Sequence, residues 1–573
     1  MRTYRIRFVN ENYSLDVLEG TSLLEAQIQA GLRPDAPCGG RGSCGKCPVD
    51  VRFKDCPDWQ RLRACTEKVH SDLEVRTLHK ETDLQILTDA GEEMPSQWNP
   101  WIRAVCVRVK GCKAGRPAWN WKRFKSAMRE NLGNFRWKAD PGMTNGPTRY
   151  LSAGNENLWA VMDSNRVLDV SREKPEIYMA AFDLGTTTIA GYLLHGESQE
   201  IQATATMLNP QIRFGADVIS RANYTLEHGL SDVTGVVRSA LNELIGQVCA
   251  SAGISRKSIY AVSLVGNTCM HHLFLGVNLR SLVCAPYKPV IAEEMTLRAS
   301  VYGLDVHPSA HILMPSVIAG FVGADTVACL VSGDWQDREA CTLLIDIGTN
   351  GELVLGNRHR RIACSTAAGP ALEGARIQCG MRGCSGAVNH VRLENGVIRW
   401  HVIGDVLAEG ICGSGLVDLI AVLLRSGRMD ESGKLQCGKE FRLGDTKVVL
   451  TQKDIREVQL AKAAIAAGIR LLAKKMGIGL DEIEEVHIAG AFGSYMDPDN
   501  AFAIGLIPAE LRGKLQIVGN AAGKGAQRIL TCREAWENAV SLARNTEFLE
   551  LASMPEFQDV FVDELEFPEV EAQ

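Results

Sequence analysis

The stretch Leu343-Leu-Ile-Asp346-Ile-Gly-Thr-Asn-Gly-Glu352-Leu-Val-Leu355 decides the fold, because it is a second copy. An apolar run of buried-strand type ends in an aspartate, a Gly-Thr turn follows, and another apolar run leaves the turn. The same order stands 163 residues earlier, where Ile177 to Phe182 leads into Asp183-Leu-Gly-Thr-Thr-Thr188 and then Ile189 to Leu194. A Gly-Thr hairpin offers backbone N–H groups and hydroxyls to phosphate oxygens, and a strand-end aspartate can hold Mg²⁺ through water. The candidates are therefore Asp183, Gly185, Thr186, Thr187 and Thr188 in one copy, and Asp346, Gly348, Thr349 and Asn350 in the other. Neither copy has the Gly-Lys-Ser/Thr of a P-loop or a dinucleotide fingerprint.

A third element follows a long helix expected over roughly 454–475. The strand Val486-His-Ile-Ala runs into Gly490-Ala491-Phe492-Gly493, whose glycines would let a planar base and ribose lie against the backbone. Three elements in this order resemble the actin-like ATPase and sugar-kinase superfamily, two duplicated α/β halves of ribonuclease H-like fold closing on ATP. The loops Gly266-Asn267-Thr268 and Gly413-Ser414-Gly415 match that superfamily's accessory glycine turns less specifically. The resemblance implies that Asp183 and Asp346 are catalytic and that the Gly490 to Gly493 turn holds adenosine. The adjacent His271 and His272 read as packing residues, and Cys379 and Cys384 as small buried thiols.

The N-terminus carries a different module. Tyr4, Ile6 and Phe8 alternate with Arg5 and Arg7, and Tyr13, Leu15 and Val17 repeat the pattern, which predicts a hairpin. A helix is expected from Ser22, with Glu25 completing a capping box, to Gly31. Then come Cys38-x5-Cys44-x2-Cys47, a strand through Val49, Val51 and Phe53, and Cys65 with seventeen residues between it and Cys47. Four thiolates, three on one glycine-rich loop and one distant, suit a 2Fe–2S cluster. Structural zinc takes paired short knuckles, and only one short pair occurs here. Cys56 competes with Cys65 as the fourth ligand. Cys65 is preferred, because Cys56 sits beside Pro57 close after the strand. The segment resembles a β-grasp, ferredoxin-type 2Fe–2S domain of the vertebrate and bacterial kind.

The 573 residues are 46% apolar and 23% charged, which excludes disorder for most of the chain. No apolar run reaches the ~20 residues of a membrane span and the first residues lack a signal-peptide core, so a soluble, cytoplasmic protein is expected. Eighteen cysteines in so long a chain read as reduced thiols, with one metal-holding cluster. The net charge of −6 hides twelve Lys/Arg against two acids over 101–150. That basic stretch lies among Trp101, Trp119, Trp121, Trp137 and Trp159. Trp121, Phe124, Met128 and Leu132 predict an amphipathic helix whose basic face, with Lys122, Arg123, Lys125 and Arg129, meets solvent or an acidic protein partner. Nucleic acid is disfavoured, since no recognised motif accompanies the charge. The expected organisation is 1–80 ferredoxin-like, 81–100 linker, 101–175 basic middle domain and 176–573 ATPase.

An N-terminal 2Fe–2S module joined to an actin-like ATPase resembles, over nearly the whole chain, the ATP-dependent reductive activators of corrinoid proteins in methyltransferase and demethylase systems. Ser365-Thr-Ala-Ala-Gly-Pro-Ala-Leu-Glu-Gly374 and Asn520-Ala-Ala-Gly-Lys-Gly525 fit that family too. The resemblance implies a 2Fe–2S cluster on Cys38, Cys44, Cys47 and Cys65, ATP with Mg²⁺, and a Co(II) corrinoid protein as partner. The cluster's electron would return the cobalt to Co(I). The upstream donor is not implied, and a homodimer is allowed. Two rivals remain: an activator of a radical dehydratase, which uses a 4Fe–4S cluster across a dimer interface, and a nucleotide-gated redox sensor without turnover.

Overall fold

The alternation of Tyr4, Ile6 and Phe8 against exposed arginines folds as a strand, Thr3–Phe8, with Ile6 and Phe8 fully buried. In the computed structural model the described residues are 2–32, 34, 36, 40, 42, 45–54, 56, 58–78, 99–111, 120–133, 138–139, 150–151, 154–198, 200–348 and 350–569. The first sheet runs Tyr13–Leu18, Thr3–Phe8, Leu73–Thr77, Pro48–Phe53, Gln60–Arg63. Thr3–Phe8 and Leu73–Thr77 are parallel and their other neighbours antiparallel, a β-grasp arrangement. The helix Leu23–Gln29 packs against it and starts at Ser22, whose capping box with Glu25 is formed. The Gln60–Arg63 strand was not foreseen in the sequence.

A four-stranded sheet follows, ordered Ile102–Val109, Glu156–Asp163, Arg166–Ser171, Lys138–Ala139, with the helix Asn120–Leu132 on one face. Phe124 and Met128 are buried as expected. Arg123 departs from the expected solvated face: it is buried, donating Nε to the Lys110 carbonyl and Nη2 to that of Gly154. Short carbonyl-rich ends of neighbouring segments thus take a guanidinium inward. Trp101 stacks edge-on to Trp536 at 6.0 Å and donates Nε1 to the Ile529 carbonyl, so one end of the basic region is anchored to the C-terminal part. Of the expected linker, 81–98 lies outside the described residues, as do Trp119 and Trp137. Asn99 pairs with Cys532.

The duplicated motif produces two sheets of the same strand order. The first runs Ile201–Leu208, Thr188–His195, Tyr178–Leu184, Ile259–Gly266, His311–Met314, Met295–Arg298. The second runs Arg361–Thr366, Gly351–Gly356, Thr342–Ile347, Glu485–Ala489, Leu515–Gly519, with Thr546–Phe548 beside Arg361–Thr366. In each, three antiparallel strands continue into parallel ones through a long helix, Ser231–Ala252 or Gln452–Met476. Asp183 lies beside Ala190 and Val265, and Asp346 beside Glu352 and Ala489, so Gly266 and Gly490 are equivalent positions.

Each half has its own core, and a third joins them through the helices Ala324–Ser332 and Ala521–Thr531. There the backbones nearly touch: a Cβ on Gly525 would lie 2.0 Å from the Ala328 carbonyl oxygen. Among the described residues no helix is long and apolar enough to cross a membrane.

Gly525→Ala is expected to cost roughly 1–3 kcal/mol of stability, the range for overpacking a tight core. A lower denaturation midpoint would show it; an unchanged midpoint would mean the helices can move apart freely.

Candidate functional site

Both Gly-Thr turns open on one cavity of about 300 Å³ between the halves. Asp183, Gly185, Thr186, Thr187 and Thr188 line it from one side, and Asp346, Gly348, Asn350 and Gly490 from the other. Thr349 lies outside the described residues, and so do the side chains of Ala491 and Phe492.

The first turn is held from behind. Asn209 donates Nδ2 to the Gly185 carbonyl (2.9 Å) and its backbone N–H to that of Thr187 (2.9 Å). The buried guanidinium of Arg221 donates to the Thr186 carbonyl. A trans peptide points its N–H opposite its carbonyl. With three successive carbonyls drawn backward, the turn's N–H groups are directed into the cavity, beside the threonine hydroxyls.

Five helix N-termini among the described residues also reach the cavity, one of them opening with Gly490. The other four are those capped at Asn267 and Asn520, the one opening with Ala324 and Asp325, and the one at Gly413 and Ser414. A helix N-terminus favours anions through its N–H groups and dipole. Gly490 is glycine for a reason: its φ is +88°, and a Cβ would lie 2.8 Å from Asp346 Oδ1. The carboxylate rests over the bare backbone. Gly493 departs from its expected role. A Cβ there would lie 2.1 Å from Ile488 Cγ2, so its bareness serves the packing of the helix Gly490–Tyr495 on its strand, and Gly493 is not in the cavity lining.

Sequence reading missed Asp325, Glu352, Glu373 and Asn520 as lining residues. Glu352 stood inside the decisive stretch, and Asn520 in a segment noted for family likeness. Asp325 opens an apolar helix after Gly323, a signal available but not used. Glu373 crosses the cleft, accepting from Thr187 Oγ1 at 3.2 Å.

The carboxyls gather protons. Burial, then the Asp346 charge, pushes Asp183 up to about 7. Burial, then Asp346, pushes Asp325 up to about 8. Burial takes Asp346 to about 6, and burial with the charges of Asp325 and Asp346 holds Glu352 well above its ordinary value. Among the described residues no three His, Cys, Asp or Glu side chains converge as a ready-made metal cage. A cation here would therefore complete its shell with water and ligand oxygens, as Mg²⁺ usually does. His271 and His272 are buried in the helix Thr268–Leu275. His272 Nε2 accepts from the Val290 N–H, as a packing residue would.

At the N-terminal module the antiparallel pairing of Pro48–Phe53 with Gln60–Arg63 explains the seventeen-residue interval. It is a hairpin whose ends meet, with the Ala64 N–H donating to the Cys47 carbonyl at 2.8 Å. Cys47 and Cys65 are both buried with their sulfurs 3.3 Å apart. That is far beyond a disulfide's ~2.05 Å, and close enough for both sulfurs to reach one ion. Cys56 instead accepts from Gln60 Nε2 at 3.6 Å, half-exposed. Cys38 and Cys44 lie outside the described residues. Cys379 accepts from the Val449 N–H, and Cys384 is buried.

Comparison with known proteins agrees with this layout. Residues 178–337 match the model of the RACo middle region, and 340–573 that of the C-terminal domain of RACo, the ASKHA domain. The "middle region" is thus the first half of the duplicated unit, not the basic segment 101–175. The corrinoid activation enzyme RamQ of Eubacterium limosum is 34% identical over 97% of this chain and 98% of its own. A Methanosarcina barkeri reductase of the Co(II) methylated amine-specific corrinoid protein is 25% identical over 68% of this chain and 77% of its own. The solved structure of a reductive activator for a corrinoid, iron–sulfur protein superposes with TM-score 0.75 at 29% identity, covering 99% of this chain and 98% of that one.

The carboxyl cluster dictates a pH dependence. Unfolded carboxyls ionise near 4, whereas Asp346, Asp183 and Asp325 keep protons to about 6, 7 and 8. The folded state therefore binds more protons between these values, and in divalent-free buffer its stability should fall as pH rises from about 4 to 8. Asp325→Asn should flatten this fall and melt higher than the parent protein at pH 8.5. Equal melting temperatures at that pH would show that the carboxyls do not repel one another.

Proposed function

This chain belongs to the RACo family of reductive activators of corrinoid proteins, and on that premise we propose its reaction. It reduces the inactive Co(II) corrinoid of a methyltransferase or demethylase corrinoid protein to the active Co(I) state, coupled to ATP hydrolysis. The observation that carries the reading is one chain joining a cavity lined by both strand-end aspartates to a buried pair of convergent thiols.

The cavity's two kinds of lining suit a nucleotide with a cation. The N–H groups of the first turn and helix N-termini such as those at Asn267 and Ser414 would take phosphate oxygens. Asp183 and Asp346 would hold Mg²⁺ through water, with Asp325 and Glu352 adding charge nearby. Gly490 and its turn would lie against adenosine. In the N-terminal module Cys47 and Cys65, with Cys38 and Cys44, would hold a 2Fe–2S cluster. Bound there, the cluster supplies a one-electron relay of ferredoxin type, with a potential near −400 mV in plant-type examples.

Co(I) is a stronger reductant than such a relay. As an illustration, a one-electron gap of roughly 200 mV amounts to about 4.7 kcal/mol. ATP can offset it only by binding differently to two states of the complex. The residues able to register that difference are those that span the cleft. Thr187 donates to Glu373 across it, and Asp183 feels the charge of Asp346. Closing of the halves around the nucleotide would tighten these contacts and carry the change to the bound corrinoid protein.

Two experiments test the reading. Asp346→Ala removes charge from the cavity and leaves the thiol site untouched. It is expected to lower ATP hydrolysis and corrinoid reduction together, by about 10²-fold or more, with iron content and dithionite reduction unchanged. Corrinoid reduction at the parent rate with ATPase abolished would end the ATP-coupled account. Separately, anaerobically purified protein should hold about two irons per chain, the count of a 2Fe–2S cluster. Cys65→Ser should disturb its visible spectrum while Cys56→Ser should not. The reverse pattern would make Cys56 the fourth ligand.

A further inference from the structure

Lys46 occupies the two-residue gap between Cys44 and Cys47, and its side chain leaves its own module. The ammonium donates to the Gly374 and Gly380 carbonyls, each at 2.9 Å. Those carbonyls belong to the segment that follows the short Pro370–Glu373 helix. The other side of this segment is the nucleotide cavity, where Glu373, Met381 and Arg382 form part of the lining.

The segment between is braced along its length. The Ala375 N–H donates to the Pro370 carbonyl, and the Met381 N–H to that of Ile411 at 2.9 Å. The Gln378 N–H donates to Asp454 Oδ1 at 2.8 Å, at the start of the Gln452–Met476 helix. A braced segment passes a displacement on instead of absorbing it. The N-terminal module also lies within electrostatic range of the first half: after burial and the Asp232 charge, Glu25 contributes to raising the Tyr224 phenol. It therefore sits near both halves that a nucleotide would draw together.

We infer that Lys46 is a positioning residue that couples the nucleotide cavity to the cysteine loop, through the segment 373–383. A shift of Glu373 or Arg382 on nucleotide binding moves the Gly374 and Gly380 carbonyls, and with them the lysine and the cysteines flanking it. The hydrogen bonds are charge-assisted and half-buried, which gives them directional hold. This inference rests on the reading of the cavity as an ATP site and of the cysteine loop as the cradle of an iron–sulfur group.

Hydrogen–deuterium exchange on the full-length, cluster-containing protein tests it, with and without a non-hydrolysable ATP analogue. In the parent protein the analogue should alter exchange by about fivefold or more both at 342–352, beside the motif turn, and at 45–53, beside the cysteines. In Lys46→Met and Lys46→Ala the change at 342–352 should persist and the change at 45–53 should vanish. Lys46→Arg, which keeps the charge and donors, should restore it. Unaltered protection at 178–184 reports that the variants are folded. Transmission to 45–53 that survives in both neutral variants would overturn the inference. A parent protein that responds at 342–352 but not at 45–53 would overturn it too, with the ATP reading intact. No response at either segment would overturn both.

Discussion

Everything in the larger unit depends on how closely two helices cross. Ala324–Ser332 and Ala521–Thr531 meet backbone to backbone at Ala328 and Gly525, a fit that only a glycine admits. This contact fixes the distance between two sheets that are otherwise separate cores. Because both helices start at the cavity, it also sets where Asp325 and Asn520 stand. The duplicated strands then present Asp183 and Asp346 to a common space.

That space carries two opposed electrostatic demands. Its walls hold carboxyls that repel one another and are pushed toward their protonated forms. Its helix N-termini and the N–H groups of the first turn, whose carbonyls are drawn backward, favour anions. Neither demand is satisfied by the protein alone. A polyphosphate with a divalent cation would answer both, since the cation would favour the ionised carboxyls and the phosphates would meet the N–H groups. The same arrangement makes the unfilled cavity a cost to stability, of the kind active sites carry.

What the sequence made legible was what is local. The strand–Asp–Gly–Thr pattern announces Asp183 and Asp346 because strand, turn and carboxylate lie within ten residues. The Ser22–Glu25 box is likewise short-range. The strand Gln60–Arg63, which brings Cys65 to Cys47, is too short and polar to show a period. Glu373 and Asp325 reach the cavity on segments whose placement depends on the whole second half or on the helix crossing, so the local helix start after Gly323 marks Asp325 without showing where it points, and no spacing reveals Glu373. Arg123 looked like a surface charge because a buried guanidinium is visible only once its carbonyl partners, at Lys110 and Gly154, are folded around it. Gly493 looked like Gly490 in sequence. Their different neighbours, Ile488 for one and Asp346 for the other, separate packing from cavity lining.

The central claim is that ATP drives an uphill one-electron reduction of a corrinoid. The direct measurement is the absorbance of a methyltransferase-type corrinoid protein held in its Co(II) form, mixed anaerobically with the reduced full-length protein. With ATP and Mg²⁺ the Co(II) band should give way to the Co(I) band, and with ADP or without nucleotide it should persist. Co(I) formed at the same rate and to the same extent without ATP would contradict the account.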